Sequence, residues 1–238
     1  MSYSVKYEDV GLMDYKSAWD YQAALFKELV DSKMNPENIG QAERKKVPGR
    51  LIFVEHPHVF TLGKSGSENN LLINQIQLRA KDAVFFRTDR GGDITYHGPG
   101  QIVGYPIFDL ASLGIGLKEY IDKIEEAIIL STAVYGIRCD RLEGGTGVWI
   151  EPGLPGKARK ICAIGVRASR FVTMHGFAFN VNTDLSYFSY INPCGFVDKG
   201  VTSLEKETGR KCDMDEAKEI VKNKLAEVFD LSWENGGN

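Results

Sequence analysis

The densest concentration of chemistry-capable residues in this chain is Arg90-Gly-Gly-Asp-Ile-Thr-Tyr-His-Gly-Pro-Gly-Gln101, four glycines and a proline set between two apolar runs, 83–87 and 102–110, that read as strands. Glycine tolerates backbone conformations closed to other residues, so such a loop brings bare backbone close to a ligand. Flanking strands hold it rigid, and Arg90 and His97 then address a polar or acyl group. A tight surface turn has a similar composition.

The other residues of interest are cysteines and a lysine. The four cysteines, Cys139, Cys162, Cys194 and Cys212, are scattered and form no C-x-x-C pair, which argues against a redox or zinc motif. Acyl transfer through a covalent intermediate needs a nucleophile ionised near neutral pH, whereas a free thiol titrates at about 8.5. A nearby ammonium favours the thiolate, and a lysine in neutral form accepts a proton from an attacking amine. Lys160 opens the otherwise apolar run Ile161 to Val166, where partial desolvation lowers a lysine pKa; alternatively it snorkels to water from a strand start. Local spacing nominates Cys162 as its partner, because residues two apart in a strand share a face. Exposure favours Cys194, which lies in the Pro/Gly-bounded Asn192-Pro-Cys-Gly195, whereas Cys162 sits among apolar residues where a thiol is inert.

Three segments together carry a family likeness. The loop 90–101, the run Arg159-Lys-Ile-Cys-Ala-Ile-Gly-Val-Arg167, and Met174-His-Gly-Phe-Ala-Phe-Asn-Val-Asn182 leading to Ile191-Asn-Pro-Cys-Gly195 resemble, in order, the motifs of the lipoyl(octanoyl) transferase family, over roughly residues 50 to 205. The resemblance implies the biotin/lipoate protein ligase catalytic fold and an octanoyltransferase activity. It implies Cys194 as the thioester-forming nucleophile and Lys160 as its basic partner. It implies substrate-binding walls formed by Arg90, Gly91, Gly92, Asp93, Ile94, Thr95, Tyr96 and His97, by Ala163, Ile164 and Gly165, and by Gly176, Phe177 and Ala178. Octanoyl-acyl carrier protein is the implied donor. The implied acceptors are lipoyl domains of 2-oxoacid dehydrogenase complexes or the glycine cleavage H protein. No cofactor or metal is implied. Small residues in these walls let backbone N–H groups reach a thioester carbonyl.

Composition is that of an ordinary globular protein, 43% apolar with a net charge of −3, which disfavours broad nucleic-acid binding. The N-terminus has no apolar signal core and no run approaches membrane-spanning length, so a cytoplasmic location is expected. No linker divides the chain, and residues 1–238 read as a single catalytic domain. A strand is expected at 4–8 and a helix from Asp14 to about Lys33. Strands follow at 51–54 and 59–62, the second as hairpin partner of the first. Further strands are expected at 84–86, 102–108, 137–142, 147–150, 160–168 and 171–181. A second helix spans about 117–135, and a last helix is capped at Asp213. Gly144-Gly-Thr-Gly147 reads as a turn without function. The order predicts an α+β domain with a mixed, largely antiparallel sheet and flanking helices.

Three other activities fit parts of the pattern: an ATP-dependent lipoate–protein ligase of the same fold, a thioester hydrolase with His97 or His175 as base, and a non-catalytic acyl-binding module. His56-Pro-His58 is a weak metal pattern. The stretch 157–170, with five basic and no acidic residues, is expected either to steer an acidic carrier protein or to form a solvated strand edge.

Overall fold

The structure, a computed structural model, describes residues 2–34, 49–192 and 199–234. The chain begins with β1 (Tyr3–Leu12), α1 (Tyr15–Met34), β2 (Gly49–Glu55) and β3 (Val59–Leu62). Next come α2 (Gln75–Arg79), β4 (Val84–Arg87), β5 (Ile94–His97), β6 (Gln101–Ile107), α3 (Leu110–Leu113) and α4 (Leu117–Val134). β7 (Asp140–Leu142), β8 (Gly145–Ile150), β9 (Arg159–Ser169) and β10 (Val172–Asn180) follow. The chain continues through β11 (Gly200–Val201), α5 (Leu204–Thr208), α6 (Met214–Phe229) and β12 (Leu231–Trp233). The large sheet runs β12-β1-β2-β6-β10-β9-β8-β7, with β11 paired to β9. β1 joins its neighbours in parallel and most other pairs are antiparallel. This is the expected α+β architecture with a mixed sheet.

Both faces of the large sheet are covered, which is why its central strands read as unbroken apolar runs rather than alternating ones. Leu51 and Phe53 of β2 pack with Phe177 and Phe179 of β10, Tyr120, Ile124 and Ile128 of α4, and Val221, Leu225 and Phe229 of α6. The intervening Ile52 and Val54 face the other way, against Ala18 and Leu29 of α1, Val103, Tyr105 and Ala178. Helix starts follow the sequence signals. Asp14 accepts a hydrogen bond from the Ser17 N–H at 3.0 Å, and Asp213 accepts from the N–H groups of Asp215 and Glu216, satisfying otherwise orphaned first-turn donors. Among the described residues no helix is long and apolar enough to cross a membrane.

Three expectations require correction. Residues 59–62 are not the hairpin partner of 51–54. β3 leaves the large sheet and forms a second one, ordered β4-β3-β5, because His56-Pro57-His58 turns the chain away from β2. The loop 90–101 is not wholly irregular: Ile94–His97 is a strand in register with β3, Val59 opposite His97 and Leu62 opposite Ile94. Its Ile-Thr-Tyr centre has the β-branched and aromatic character of a strand, masked in the sequence by the surrounding glycines. The strand expected at 137–142 is confined to Asp140–Leu142.

Gly104 on β6 shows how closely the sheet is packed. It lies opposite Phe177 in register, and a methyl group there would meet the Phe177 ring at 2.2 Å. Gly104→Ala therefore overpacks the centre of the sheet and is expected to lower stability by about 1–3 kcal/mol, measurable as a shifted urea midpoint at unchanged slope.

Candidate functional site

A cavity of about 610 Å³ lies between the loop and strand 90–97 and the β9–β10 hairpin. It is lined by Arg90 through Thr95 and His97 on one side, and by Ala163, Ile164, Gly165, Gly176, Phe177 and Ala178 on the other, with Lys160 among its lining residues. The two walls are joined by backbone, since the Gly91 N–H donates to the Val166 carbonyl at 2.9 Å. Close approach is possible because Gly165 carries no side chain: a Cβ there would stand 3.0 Å from the Gly91 carbonyl oxygen.

The loop is held by its own arginine. Arg90 is buried, and its guanidinium donates to the carbonyls of Thr61, Gly91 and Asp93 and to the Thr61 hydroxyl at 2.6–3.0 Å. His97 continues the network. The Gln101 side-chain N–H groups donate to Asn180 Oδ1 at 2.8 Å and the Tyr96 carbonyl at 3.2 Å. Gln101 Oε1 is thereby left to accept from His97 Nδ1 at 2.9 Å. His97 Nε2 then accepts from the Thr61 hydroxyl at 3.4 Å. Burial, reinforced by the charge of His56, pushes the His97 pKa down to about 3, so the ring is neutral at physiological pH. His56 is likewise held down, to about 4, by burial. It donates from Nδ1 to the Met13 carbonyl and accepts at Nε2 from Tyr105, both at 2.7 Å. His58 does not converge with it: its Nδ1 meets the Tyr96 hydroxyl at 2.7 Å and its ring stacks on Tyr187 at 4.2 Å.

Lys160 donates from Nζ to the Thr146 carbonyl at 3.1 Å, and its ammonium sits 4.6 Å from the centre of the Trp149 ring. Glu125 of α4 accepts from the Gly147 N–H at 2.8 Å and so supports the turn that presents Thr146. Gly147 has φ 116°, and a Cβ there would meet the Cys162 carbonyl oxygen at 2.5 Å; both facts demand glycine. On its other side Lys160 is joined to the chain that leads back from the segment 193–198. Val201 pairs with Lys160, the Thr202 N–H donates to the Lys160 carbonyl at 2.9 Å, and Lys199 and Gly200 line the cavity beside it.

Residues 14–226 match the lipoyl protein ligase A/B catalytic domain family. The chain belongs to that family. It is 54% identical to the octanoyltransferase of Parabacteroides distasonis over 95% of this chain and 99% of that one. It is 51% identical to the octanoyltransferase of Cytophaga hutchinsonii over 98% and 95%. The fold is shared with a bipartite lipoate protein ligase from an archaeal lipoylation system of Thermoplasma acidophilum, with a TM-score of 0.70 at 14% identity over 98% of this chain and 87% of that one. It is also shared with a lipoate-protein ligase A bound with ATP, with a TM-score of 0.67 at 12% identity over 99% and 89%.

Not every expected residue of this family site lies where the sequence suggests. Tyr96 is absent from the cavity wall. Alternation along β5 turns it to the opposite side, where it is fully buried against Phe60, Tyr187 and Phe188. Lys160 and Cys162 do not share a face. Val148 pairs with Cys162 and the next residue, Trp149, with Lys160, so Ile161 is an extra residue, a β-bulge that reverses the alternation. Cys162 consequently points into the core, fully buried, and burial pushes its thiol pKa well up. Cys139 and Cys212 are also buried. Cys194 lies outside the described residues.

The basic stretch 157–170 is not a sheet edge, and two of its five basic side chains are ion-paired with neighbouring carboxylates. β9 runs between β8 and β10. Arg159 is paired with Glu151 and Glu207, and Arg167 with Asp89. The sequence reading missed Gly144, Gly145 and Thr146, which line the cavity although they read as an idle turn. Tyr15, Tyr105 and Trp149 also line it and carry no motif signal, since each comes from a different element; Asn180, within the segment 174–182, lines it too.

Neutral buried histidines make stability acid-sensitive. Below the ordinary histidine value the unfolded chain takes up protons that folded His56 and His97 refuse. Stability is therefore full above pH ~6.5 and falls as pH is lowered toward the folded values near 4 and 3. Thermal melts from pH 7 to 4.5 should show a loss of a few kcal/mol, and His97→Gln should flatten that slope.

Proposed function

We propose that this chain transfers an octanoyl, or lipoyl, group from acyl carrier protein to a lysine of lipoyl domains through a cysteine thioester, as a single catalytic domain working in the cytoplasm. The activity agrees with the name borne by its relatives of 54% and 51% identity. The observation that carries the mechanism is the pairing of Val201 with Lys160: the chain seven residues beyond Cys194 returns to the rim at which the Lys160 ammonium is held. Acceptors are lipoyl domains of 2-oxoacid dehydrogenase complexes or the H protein of glycine cleavage.

In the first step the Cys194 thiolate, favoured by the Lys160 cation, bonds to the octanoyl carbonyl carbon. The carbon–sulfur bond to the carrier breaks, and the departing carrier thiolate takes a proton from the Lys160 ammonium, which leaves that amine neutral for the second step. In the second step the acceptor amine bonds to the same carbon, the Cys194 thioester bond breaks, and neutral Lys160 takes the proton the nitrogen loses. Exchange between thioesters is nearly balanced, while thioester to amide runs downhill, so no nucleotide is required. Backbone N–H groups of the small-residue walls are the candidates for stabilising the oxyanion. His97 is unsuited to the base of a hydrolase. Burial holds it neutral, but both ring nitrogens are already engaged, by Gln101 and Thr61.

The shared fold with an ATP-bound ligase keeps one second reading, ATP-dependent ligation of free octanoate, open to test. Intact-mass analysis after mixing with octanoyl-acyl carrier protein should give an octanoyl adduct that peptide mapping locates at Cys194. Cys194→Ala should abolish adduct and transfer, Lys160→Ala should slow both steps by about 100-fold or more, and Cys162→Ala should be tolerated. Acceptor labelling by octanoate and ATP alone, or a dead Cys162 variant beside an active Cys194 variant, would overturn the scheme.

A further inference from the structure

We propose that the contact between His175 and Asp89, backed by Arg167, is the end wall of the cavity and sets the length of acyl chain the protein accepts. This inference rests on the acyl-transfer reading above, and concerns specificity rather than the chemical step.

The cavity follows the β9–β10 ladder, and its last rung is the pair Val166 and His175. The next rung, Arg167 opposite Met174, does not line it. At that boundary His175 donates from Nε2 to Asp89 Oδ1 at 2.7 Å, while Asp89 is also ion-paired with Arg167. Asp89 immediately precedes Arg90, so this contact ties the glycine-rich loop to the hairpin across the end of the cavity. The Arg167 guanidinium, 5.2 Å from the Phe26 ring centre, backs the barrier from outside.

His175 is held there at a cost. Its φ is 62°, the left-handed region that a non-glycine residue enters only under constraint. Its N–H is satisfied by a side chain, Gln22 Oε1 at 3.1 Å, and its Nδ1 is buried with no partner among the described residues. A rung serving stability alone has no reason to combine a left-handed backbone with an unbonded buried nitrogen. A bulky ring that must close a cavity does.

The test uses the full-length protein with a lipoyl domain and carrier protein loaded with six-, eight-, ten-, twelve- or fourteen-carbon acyl groups in competition, read by intact mass. His175→Gly removes the ring and relieves the left-handed strain. Asp89→Ala breaks the barrier from the loop side and leaves β10 intact, so a folding failure of one variant, seen in its melt, leaves the other decisive. Each variant is expected to raise the ratio of twelve-carbon to eight-carbon transfer at least about tenfold, given that a single methylene is worth roughly that in a closed apolar pocket. A folded variant whose ratio equals that of the unaltered protein overturns the proposal. Failure of the unaltered protein to move any acyl group from the carrier would instead defeat the reaction on which it rests.

Discussion

Ile161 is one residue too many for the ladder between β8 and β9, and the half-step it introduces decides which side chains meet the cavity. Without it, Lys160 would face the same way as Cys162 and enter the apolar core. With it, the ammonium is held by the Thr146 carbonyl and the Trp149 ring, while the thiol two residues on is packed among core side chains. A cation in that core would carry a large desolvation cost. The bulge removes that cost and gives the cavity its one lysine on β9.

Around this point the protein invests in rigidity. Arg90 bonds to three backbone carbonyls of its own neighbourhood, and the chain Arg90–Thr61–His97–Gln101–Asn180 carries that order to the Thr202 carbonyl, which accepts from Asn180. Thr202 in turn is bonded to the Lys160 backbone. The glycine-rich loop and the lysine rim therefore belong to one hydrogen-bonded network, whose histidine, His97, is kept neutral by burial. Such a network holds polar groups in fixed positions around the cavity.

The glycine-rich segment and the lysine at the head of an apolar run were legible in the sequence as local patterns, while the two small-residue walls came from the family resemblance. Strand alternation, however, is a rule about uninterrupted ladders. It misled at Cys162, where a bulge intervenes, and its omission misled at Tyr96, where an unrecognised strand turns the ring away from the cavity. The turn 144–147 was dismissed because its importance lies in what packs on it: Glu125 from below and Lys160 from the side. In the basic stretch 157–170, Arg159 and Arg167 are paired with Glu151, Glu207 and Asp89, two of which are distant in the chain.

What the sequence determined by itself was the inventory: the residue types able to do acyl chemistry, the apolar runs long enough for a doubly covered sheet, and the helix caps at Asp14 and Asp213. These depend on covalent neighbours and on periodicity, which the chain carries wherever it folds. The tertiary structure alone decided which face each strand residue presents, which charges are cancelled, and that β11 returns beside Lys160. Those outcomes depend on register between segments far apart in the chain, and register is set by the packing of both sheet faces, a sum over contacts that no single segment contains.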